Sequence, residues 1–514
     1  MPAVELIEKR RLALQQARDR AQSRQQRNRL GQFATPGALA LEMLQYAHTL
    51  SGSGPVRFLD PAIGTGSFYA ALLRQWPLER INAAMGFEID AHYAEPCRTL
   101  WQGTPLQLQH EDFTAAAPPA QEAERINLLI CNPPYVRHHH LRRATKARLQ
   151  QRSMIASGAR LNGRAGLYAH FISIAHAWMS EDAIAGWLIP SEFMDVNYGR
   201  ELRHYLLHAV RLLRIHRFDP TELQFSDALV SSAIVWLRNQ KPADGHQIEF
   251  SYGGTLSNPR TRGLVPACRL QHEVKWSGFP DALGVGRQAA AVTLGELFRV
   301  KRGIATGANA FFIMSREQAA ERGIPRQCLR PILPGARRLE SDEVFADEGG
   351  EPLMQHSLWL LDCRWPEDRI RDQYPRLWRY LETGRAALGQ GYLCSRRAPW
   401  YSQETREPTF FLCTYMARVS ERGAQRFIFN RSSAIVANTY LMLYPREPLA
   451  RFIGDNPVRA RCVWQALKGI GTEVMIAGGR VYGGGMYKLE PSELARIAAP
   501  GVAALLAMRH AGAG

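Results

Sequence analysis

Short apolar runs and longer amphipathic stretches take turns along the chain from Gly31 to about Leu237. "VRFLD" (56–60), "AAMGFEI" (83–89), "INLLI" (126–130), "AGWLIP" (185–190), "LLRIHRF" (212–218) and "SAIVWLR" (232–238) have the length and the composition of strands. Between them, "GALALEMLQYAHTL" (37–50), "FYAALLRQW" (68–76) and "LYAHFISIAHAWM" (167–179) read as helices. Strands that are apolar on both sides need cover on both faces, so this alternation predicts a doubly wound α/β domain. "RNQKPADGHQ" (238–247) is polar and contains Pro and Gly, and it reads as a linker that closes the first domain at residue 240. From 248 to 514 the rhythm gives way to a mixture of strands, helices and loops bearing Arg, Trp and Tyr. Two domains suit 514 residues, too many for one ordinary core.

Charge adds a class of partner. The chain has 64 Lys and Arg against 47 Asp and Glu, a formal net charge of +17, and the excess is mostly arginine, which suits contacts to phosphates and bases. Residues 1–30 carry eight Lys or Arg against three acidic residues and show no strong apolar stripe. They read as a basic helix or arm, solvated or lying on DNA phosphate. The eight cysteines are scattered with no C-x-x-C pair, so neither zinc nor a redox motif is expected and no metal is predicted. No apolar run approaches the roughly 20 residues that span a bilayer, and "MPAVELIEKRRLALQQARDR" lacks a signal-peptide core. A soluble, cytoplasmic protein without membrane contact is the expectation.

Four strand ends carry candidate chemistry. In "FLDPAIGTGSFYAALL" (58–73) a strand ends in Asp60, and Gly64 and Gly66 precede a helix. Their missing β-carbons let a ligand approach the backbone near Ala62, at the sheet edge where open α/β folds bind ligands. The next strand ends in Glu88 and Ile89, where a carboxylate can accept hydrogen bonds from two ribose hydroxyls. A dinucleotide would use the same carboxylate, but the turn reads D-P-A-I-G-T-G and lacks the third glycine of G-x-G-x-x-G. "LQLQHEDFT" (106–114) ends in Asp112 and Phe113, which could hold an adenine by its amine and its face. The fourth strand stops abruptly at Asn132, because Pro133 and Pro134 supply no N–H to a ladder, and Tyr135 follows.

Asp60 to Phe68, Glu88, Asp112-Phe113 and Asn132-Pro133-Pro134-Tyr135, in this order, resemble the motifs of S-adenosylmethionine-dependent amino methyltransferases of DNA. "GQFATP" (31–36) resembles their cofactor-contacting motif, with Thr35 and Pro36 as its Thr-Pro. Its place before the glycine turn looks like the gamma arrangement of the adenine-N6, TaqI-type enzymes of restriction–modification systems. Ile63, Thr65 and Ala34 depart from the usual residues without removing a group that the chemistry requires. The resemblance implies a Rossmann-like methyltransferase domain at 31–240 that binds S-adenosylmethionine, and a mixed α+β target-recognition domain at 248–514 that binds double-stranded DNA. It also implies a monomer, with room for a cognate restriction endonuclease acting on the same sequence.

An exocyclic adenine amine is a poor nucleophile because its lone pair is delocalised into the ring. Acceptors must be aimed at its two N–H bonds: the Asn132 side-chain oxygen and the Pro133 carbonyl, held in place by Pro134. Tyr135 can stack on the base, which must be flipped out of the duplex. "LQFSDALVSSAIVWLR" (223–238) resembles the later motif that supplies a second aromatic wall, which places Phe225 there, with core packing as its competing role. "VKRGIATGANAFFIM" (300–314), "FIFNRSSAIVANTYLMLYP" (427–445) and "GGGMYKLEP" (483–491) look like recognition regions, and Arg302, Asn309, Arg431 and Lys488 are the DNA contacts expected in them. The histidines of "VRHHHLRR" (136–143) read as a phosphate-facing loop rather than a metal site. Three other functions compete. A cytosine-N4 methyltransferase would share the whole site. A protein-glutamine methyltransferase would not need the basic carboxyl half, and in a non-catalytic DNA-specificity subunit the cofactor and catalytic positions would not all be filled.

Overall fold

The computed structural model describes the chain except for residues 1, 24–25, 28–29, 220–223, 225–230, 274, 280–291, 419–424, 483–485 and 512–514. It divides into two compact units, Met1–Arg287 with Tyr482–Gly484, and Gln288–Val481 with Gly485–Gly514. Among the described residues no helix is long and apolar enough to cross a membrane.

The first unit is built on nine strands: β1 (Val56–Asp60), β2 (Ile81–Phe87), β3 (Leu106–Gln109), β4 (Ile126–Cys131), β5 (Met179–Pro190), β6 (Arg211–Arg217), β7 (Ser232–Arg238), β8 (Gln247–Gly254) and β9 (Pro259–Pro266). Their order in the sheet is β3-β2-β1-β4-β5-β7-β6-β8-β9. β3, β2, β1, β4 and β5 run parallel to one another, and β7 enters antiparallel between β5 and β6. The longer helices are α1 (Pro2–Ala21), α2 (Gly37–Leu50), α3 (Ser67–Gln75), α4 (Ala91–Leu100), α5 (Arg143–Ser157), α6 (Leu167–Ala175) and α7 (Arg200–His208).

Successive residues of the central strands feed two cores. Leu59, Leu129, Cys131, Ala185, Trp187 and Val235 pack in one, with α6 buried among them. Phe58, Leu128, Ile130, Leu188, Ile234 and Trp236 pack in the other, under α2 and α3. This two-sided burial is the physical content of the apolar strands read from the sequence. The strand order reverses between β1 and β4, so the carboxyl ends of these two strands, at Asp60 and Cys131, flank the crevice where such sheets take ligands.

Two expectations are corrected. Residues 238–247 are no interdomain linker, and the first unit does not end at 240 but runs on through β9: the segment is a tight connection between β7 and β8. β8 lies parallel beside β6 and antiparallel to β9. Arg214 on β6 is 5% exposed and depends on β8 and the loop beyond it. Its guanidinium donates to Ser251 Oγ at 3.0 and 3.1 Å and to the Leu256 carbonyl at 2.7 Å, and pairs with Glu249 at 3.1 Å. Polar composition marked the connection correctly as a loop, but a loop that passes from β7 over β6 to β8 within one sheet has the same composition as a linker. Nor is the amino terminus a solvated arm. α1 packs on α3 and α4, with Arg11 1% exposed.

The second unit carries a five-stranded sheet of Phe298–Arg302, Tyr440–Pro445, Phe411–Thr414, Phe427–Asn430 and Glu343–Val344, in that order. Two three-stranded sheets and its own apolar cores complete it.

A chain cut at residue 245 loses the partners that β8 and the loop beyond it give to Arg214, and it bares the edge of β6. It is expected to show no cooperative melting transition by circular dichroism, whereas a chain ending at Arg287 should melt cooperatively. The boundary at Arg287 fails if both fragments melt alike.

Candidate active site

The turn after β1 is shaped by glycine. Gly64 and Gly66 adopt φ of +56° and +92°, which side chains with a β-carbon rarely take. A β-carbon on Gly66 would lie 2.5 Å from the Trp101 indole nitrogen, whereas one on Gly64 would meet nothing within 4 Å, so the turn is open at Gly64. Asp60 is 1% exposed, and its carboxylate accepts the Ala62 N–H at 3.1 Å. The Glu88 carboxylate accepts the Gly64 N–H at 3.1 Å and the Asp90 N–H at 2.8 Å, joining the turn to the end of β2. Burial pushes both carboxyls up to about 7, against the hydrogen bonds they accept, and the charge of Glu88 raises Asp60 further.

The residues after β4 are fixed by "GQFATP". The Tyr135 N–H donates to the Gly31 carbonyl at 3.2 Å. Gly31 has φ +66°, and a β-carbon there would lie 2.4 Å from the Tyr135 nitrogen, so no other residue lets the two segments approach so closely. Asn132 donates through Nδ2 to the Phe33 carbonyl at 2.9 Å and to Thr35 Oγ1 at 3.1 Å. These two bonds fix which end of the carboxamide is oxygen. Asn132 Oδ1 is buried and has no hydrogen-bond partner among the described residues.

At the far end, Asp112 Oδ1 accepts from the Thr114 N–H and hydroxyl at 2.9 and 2.6 Å, and Oδ2 accepts from Arg148 on α5 at 2.8 Å. Phe113 is 2% exposed and packs with Phe87, Phe171 and Trp178, with ring centroids 5.3–5.4 Å apart.

A cavity of about 620 Å³ lies within the first unit. Ala62, Gly64, Glu88, Ile89, Asp112, Phe113, Asn132 and Pro134 line it, so eight residues singled out from four separate strand ends share one space. Six others stand off it. Asp60, Gly66 and Pro133 form the turns behind the wall, and the Thr35 hydroxyl is used to hold Asn132. Pro36 is exposed at the start of α2. Tyr135 joins the core on the α2–α3 side of the sheet, 9% exposed, with its hydroxyl donating to the Leu188 carbonyl at 3.1 Å. Phe225 lies outside the described residues. Reading the sequence missed Phe33, Gln15, Asp19 and Arg148, all of which line the cavity. Only Phe33 stood in a motif; the other three lie on helices whose inward faces carry polar side chains.

In the second unit, Arg302 lies 4.1 Å over the Tyr415 ring, and Lys488 reaches the same ring at 5.1 Å while pairing with Glu490 at 2.8 Å. Arg431 lies over Phe345 and near Glu343, and Asn309 accepts from the Thr306 hydroxyl at 2.5 Å. Arg302, Asn309 and Arg431 are exposed. The structure thus brings two of the four together, around Tyr415. Among the described residues no group of three or more His, Cys, Asp or Glu could hold a metal, and His138–His140 form one short turn after Tyr135.

Comparison with known proteins places this geometry. Residues 88–224 match the family model described as Eco57I restriction-modification methylase, and residues 284–511 match that of the type II methyltransferase M.Eco57I, C-terminal domain. The chain is similar to the type II methyltransferase M.XamI of Xanthomonas campestris pv. amaranthicola, with 30% identity over 484 residues covering 92% of this chain and 85% of that protein. M.AccI of Acinetobacter calcoaceticus, also a type II methyltransferase, is 24% identical over 495 residues with the same coverage. Among solved structures, the type IIL restriction-modification enzyme MmeI in complex with DNA superposes with a TM-score of 0.55 at 12% identity, a likeness of fold. That match covers 90% of this chain but only 63% of the MmeI chain. The relation to M.XamI along almost the whole chain, and the match of both halves to one methylase family, mean that the chain belongs to the type II methyltransferases of restriction–modification systems.

Proposed function

We propose that this methyltransferase modifies the exocyclic N6 of an adenine flipped out of double-stranded DNA, within a specific sequence. The observation that carries the reading is Asn132 Oδ1, a buried acceptor without a partner among the described residues at the wall of the cavity. A buried carboxamide oxygen left unpaired costs about 1–3 kcal/mol, a cost that a donor arriving with the substrate removes. The two bonds made by Asn132 Nδ2 prevent the carboxamide from flipping, so the oxygen is aimed before the substrate arrives. We assign the Pro133 carbonyl as the second acceptor for an amine with two N–H bonds. The two acceptors draw electron density onto the nitrogen and need no strong base.

S-adenosylmethionine, when bound, supplies the methyl group. The residues around the cavity fit it. Gly64 leaves room against the backbone, Glu88 presents a carboxylate for ribose hydroxyls, Ile89 gives an exposed apolar surface for adenine, and Asp112 and Phe113 close the adenine end. We assign Thr35, Pro36, Asp60 and Gly66 to shaping that site from behind. Tyr135 is assigned to bracing the turn that carries Asn132 through its bond to Leu188, and Phe225 to stacking on the extruded base. The second unit, residues 288 onward, is assigned to choosing the DNA sequence, with Arg302, Asn309, Arg431 and Lys488 as contacts. The enzyme acts as a monomer and protects DNA from a cognate endonuclease. A cytosine N4 amine offers the same two N–H bonds, and sequencing DNA from expressing cells for N6-methyladenine against N4-methylcytosine decides between the bases.

Asn132→Ala should lower turnover at least a hundredfold while S-adenosylmethionine affinity stays within a few-fold, because the lost acceptor serves mainly the transition state. Turnover within tenfold of the parent would remove Asn132 from the chemistry. Glu88 sets a pH dependence. Its raised value means that the folded, cofactor-free protein holds a proton between about 4.5 and about 7 that the unfolded chain releases, so this group's contribution to stability is lost as pH rises through about 7. A cationic cofactor favours the ionised carboxylate, so its affinity should rise about tenfold from pH 6 to pH 8, and Glu88→Gln should flatten that profile in calorimetry. Arg302→Ala and Lys488→Ala should each weaken DNA binding and reduce its salt dependence by about one phosphate contact, read by fluorescence anisotropy, with cofactor affinity unchanged.

A further inference from the structure

Helix α1 buries the wrong kind of face for a helix that only packs. Seven of its positions from Ile7 onward recur at helical spacing on the inward side, yet only Ile7 and Leu14 among them are apolar. Such a stripe gains little from the hydrophobic effect and must be satisfied bond by bond. The bonds are specific. Glu8 holds the Arg11 guanidinium with two contacts at 2.7 Å, and Arg11 donates to Thr65 Oγ1 at 3.2 Å. Thr65 in turn donates to Gln15 Oε1 at 2.6 Å. Asp19 accepts from Gln15 Nε2 and from the Tyr93 hydroxyl, both at 2.9 Å, and the Arg18 carbonyl lies 3.0 Å from His92 Nε2. The helix is therefore seated on Thr65 of the glycine turn and on the first turn of α4, the two elements that flank Glu88.

Gln15 and Asp19 also line the 620 Å³ cavity. Beside them Gln32, another lining residue, donates to Asp90 at 2.9 Å, while its own Oε1 is buried with no hydrogen-bond partner among the described residues. Asp19 and Gln32 Oε1 thus offer acceptors on the α1 side of the space, where a ligand with an ammonium group and ribose hydroxyls could supply the donors.

We propose that α1 is a wall of the cofactor cavity, that Gln15 and Asp19 contact S-adenosylmethionine, and that cofactor binding and the seating of α1 stabilise each other. The proposal rests on reading the cavity as the S-adenosylmethionine site. It gives the basic amino terminus a role at the cofactor: its outward residues Lys9, Arg10 and Arg20 are exposed, while Gln15 and Asp19 on its inward side face the cavity. The coupling is reciprocal by thermodynamic necessity, so whatever unseats the helix weakens the cofactor and whatever removes the cofactor loosens the helix.

The test uses the full chain. Calorimetry with S-adenosylmethionine should give, for Gln15→Ala and Asp19→Ala, dissociation constants about tenfold above the parent's. Arg10→Ala and Arg20→Ala, on the outward face, should bind as the parent does. In the unmodified protein, saturating cofactor should slow tryptic cleavage after Lys9 and Arg10 by a similar factor, a readout that needs no variant to fold. Parent-like affinity in both inward variants, or cleavage that ignores the cofactor, would overturn the role of α1. A parent protein that bound no S-adenosylmethionine would instead overturn the reading of the cavity.

Discussion

The carboxamide of Asn132 is where the rest of the first unit converges. Its nitrogen end is tied to the Phe33 carbonyl and the Thr35 hydroxyl, and its oxygen end is left buried and unpaired among the described residues. A free asparagine would turn to satisfy both ends, so keeping one end unsatisfied requires that the other be held more firmly than the loose end is costly. That requirement reaches outward. "GQFATP" must lie against the turn after β4, which demands a residue without a β-carbon at Gly31, and the turn must stay rigid, which two prolines and the Tyr135–Leu188 bond accomplish. The unpaired oxygen is a small reservoir of unfavourable energy stored at the wall of the cavity.

The carboxylates on the cofactor side follow a related logic. In a chain with net charge +17, Glu88 and Asp60 lie where burial disfavours their ionised forms, and backbone N–H groups of Gly64, Asp90 and Ala62 offset part of that cost. Asp60 spends its hydrogen-bonding capacity on the turn and so shapes the site without facing it. Glu88 faces the cavity and couples the two strand ends that define it.

At the borders of the first unit, buried polar groups work alongside apolar ones such as Ile248, Phe250 and Val265. Arg214 needs Ser251, Glu249 and the Leu256 carbonyl, and this draws β8 and β9 into the sheet. Arg11, closed off by Glu8 and Thr65, seats α1 on the glycine turn. Each is a charged side chain that hydropathy patterns assign to solvent, and each is nine-tenths or more buried because its partners come from distant parts of the chain.

The sequence by itself determined the doubly wound α/β core. Both faces of β1, β4, β5 and β7 are covered, and strands covered on both faces must be apolar without alternation. It also determined which strand ends carry chemistry, since Gly64, Gly66, Pro133 and Pro134 impose local backbone geometry whatever surrounds them. Only the tertiary structure decided what those residues face. Asp60 and Thr35 stood at motif positions along the chain, and the fold engages their side chains with Ala62 N–H and Asn132. Arg148, Asp19 and Gln15 were illegible because polar residues on helices read as solvated, and nothing local records that Asp112, Tyr93 or Thr65 waits across the fold. Apolar periodicity is written along the chain because each strand needs the same cover everywhere, whereas a hydrogen bond between residues far apart in the chain leaves no periodic trace and exists only once the chain has folded.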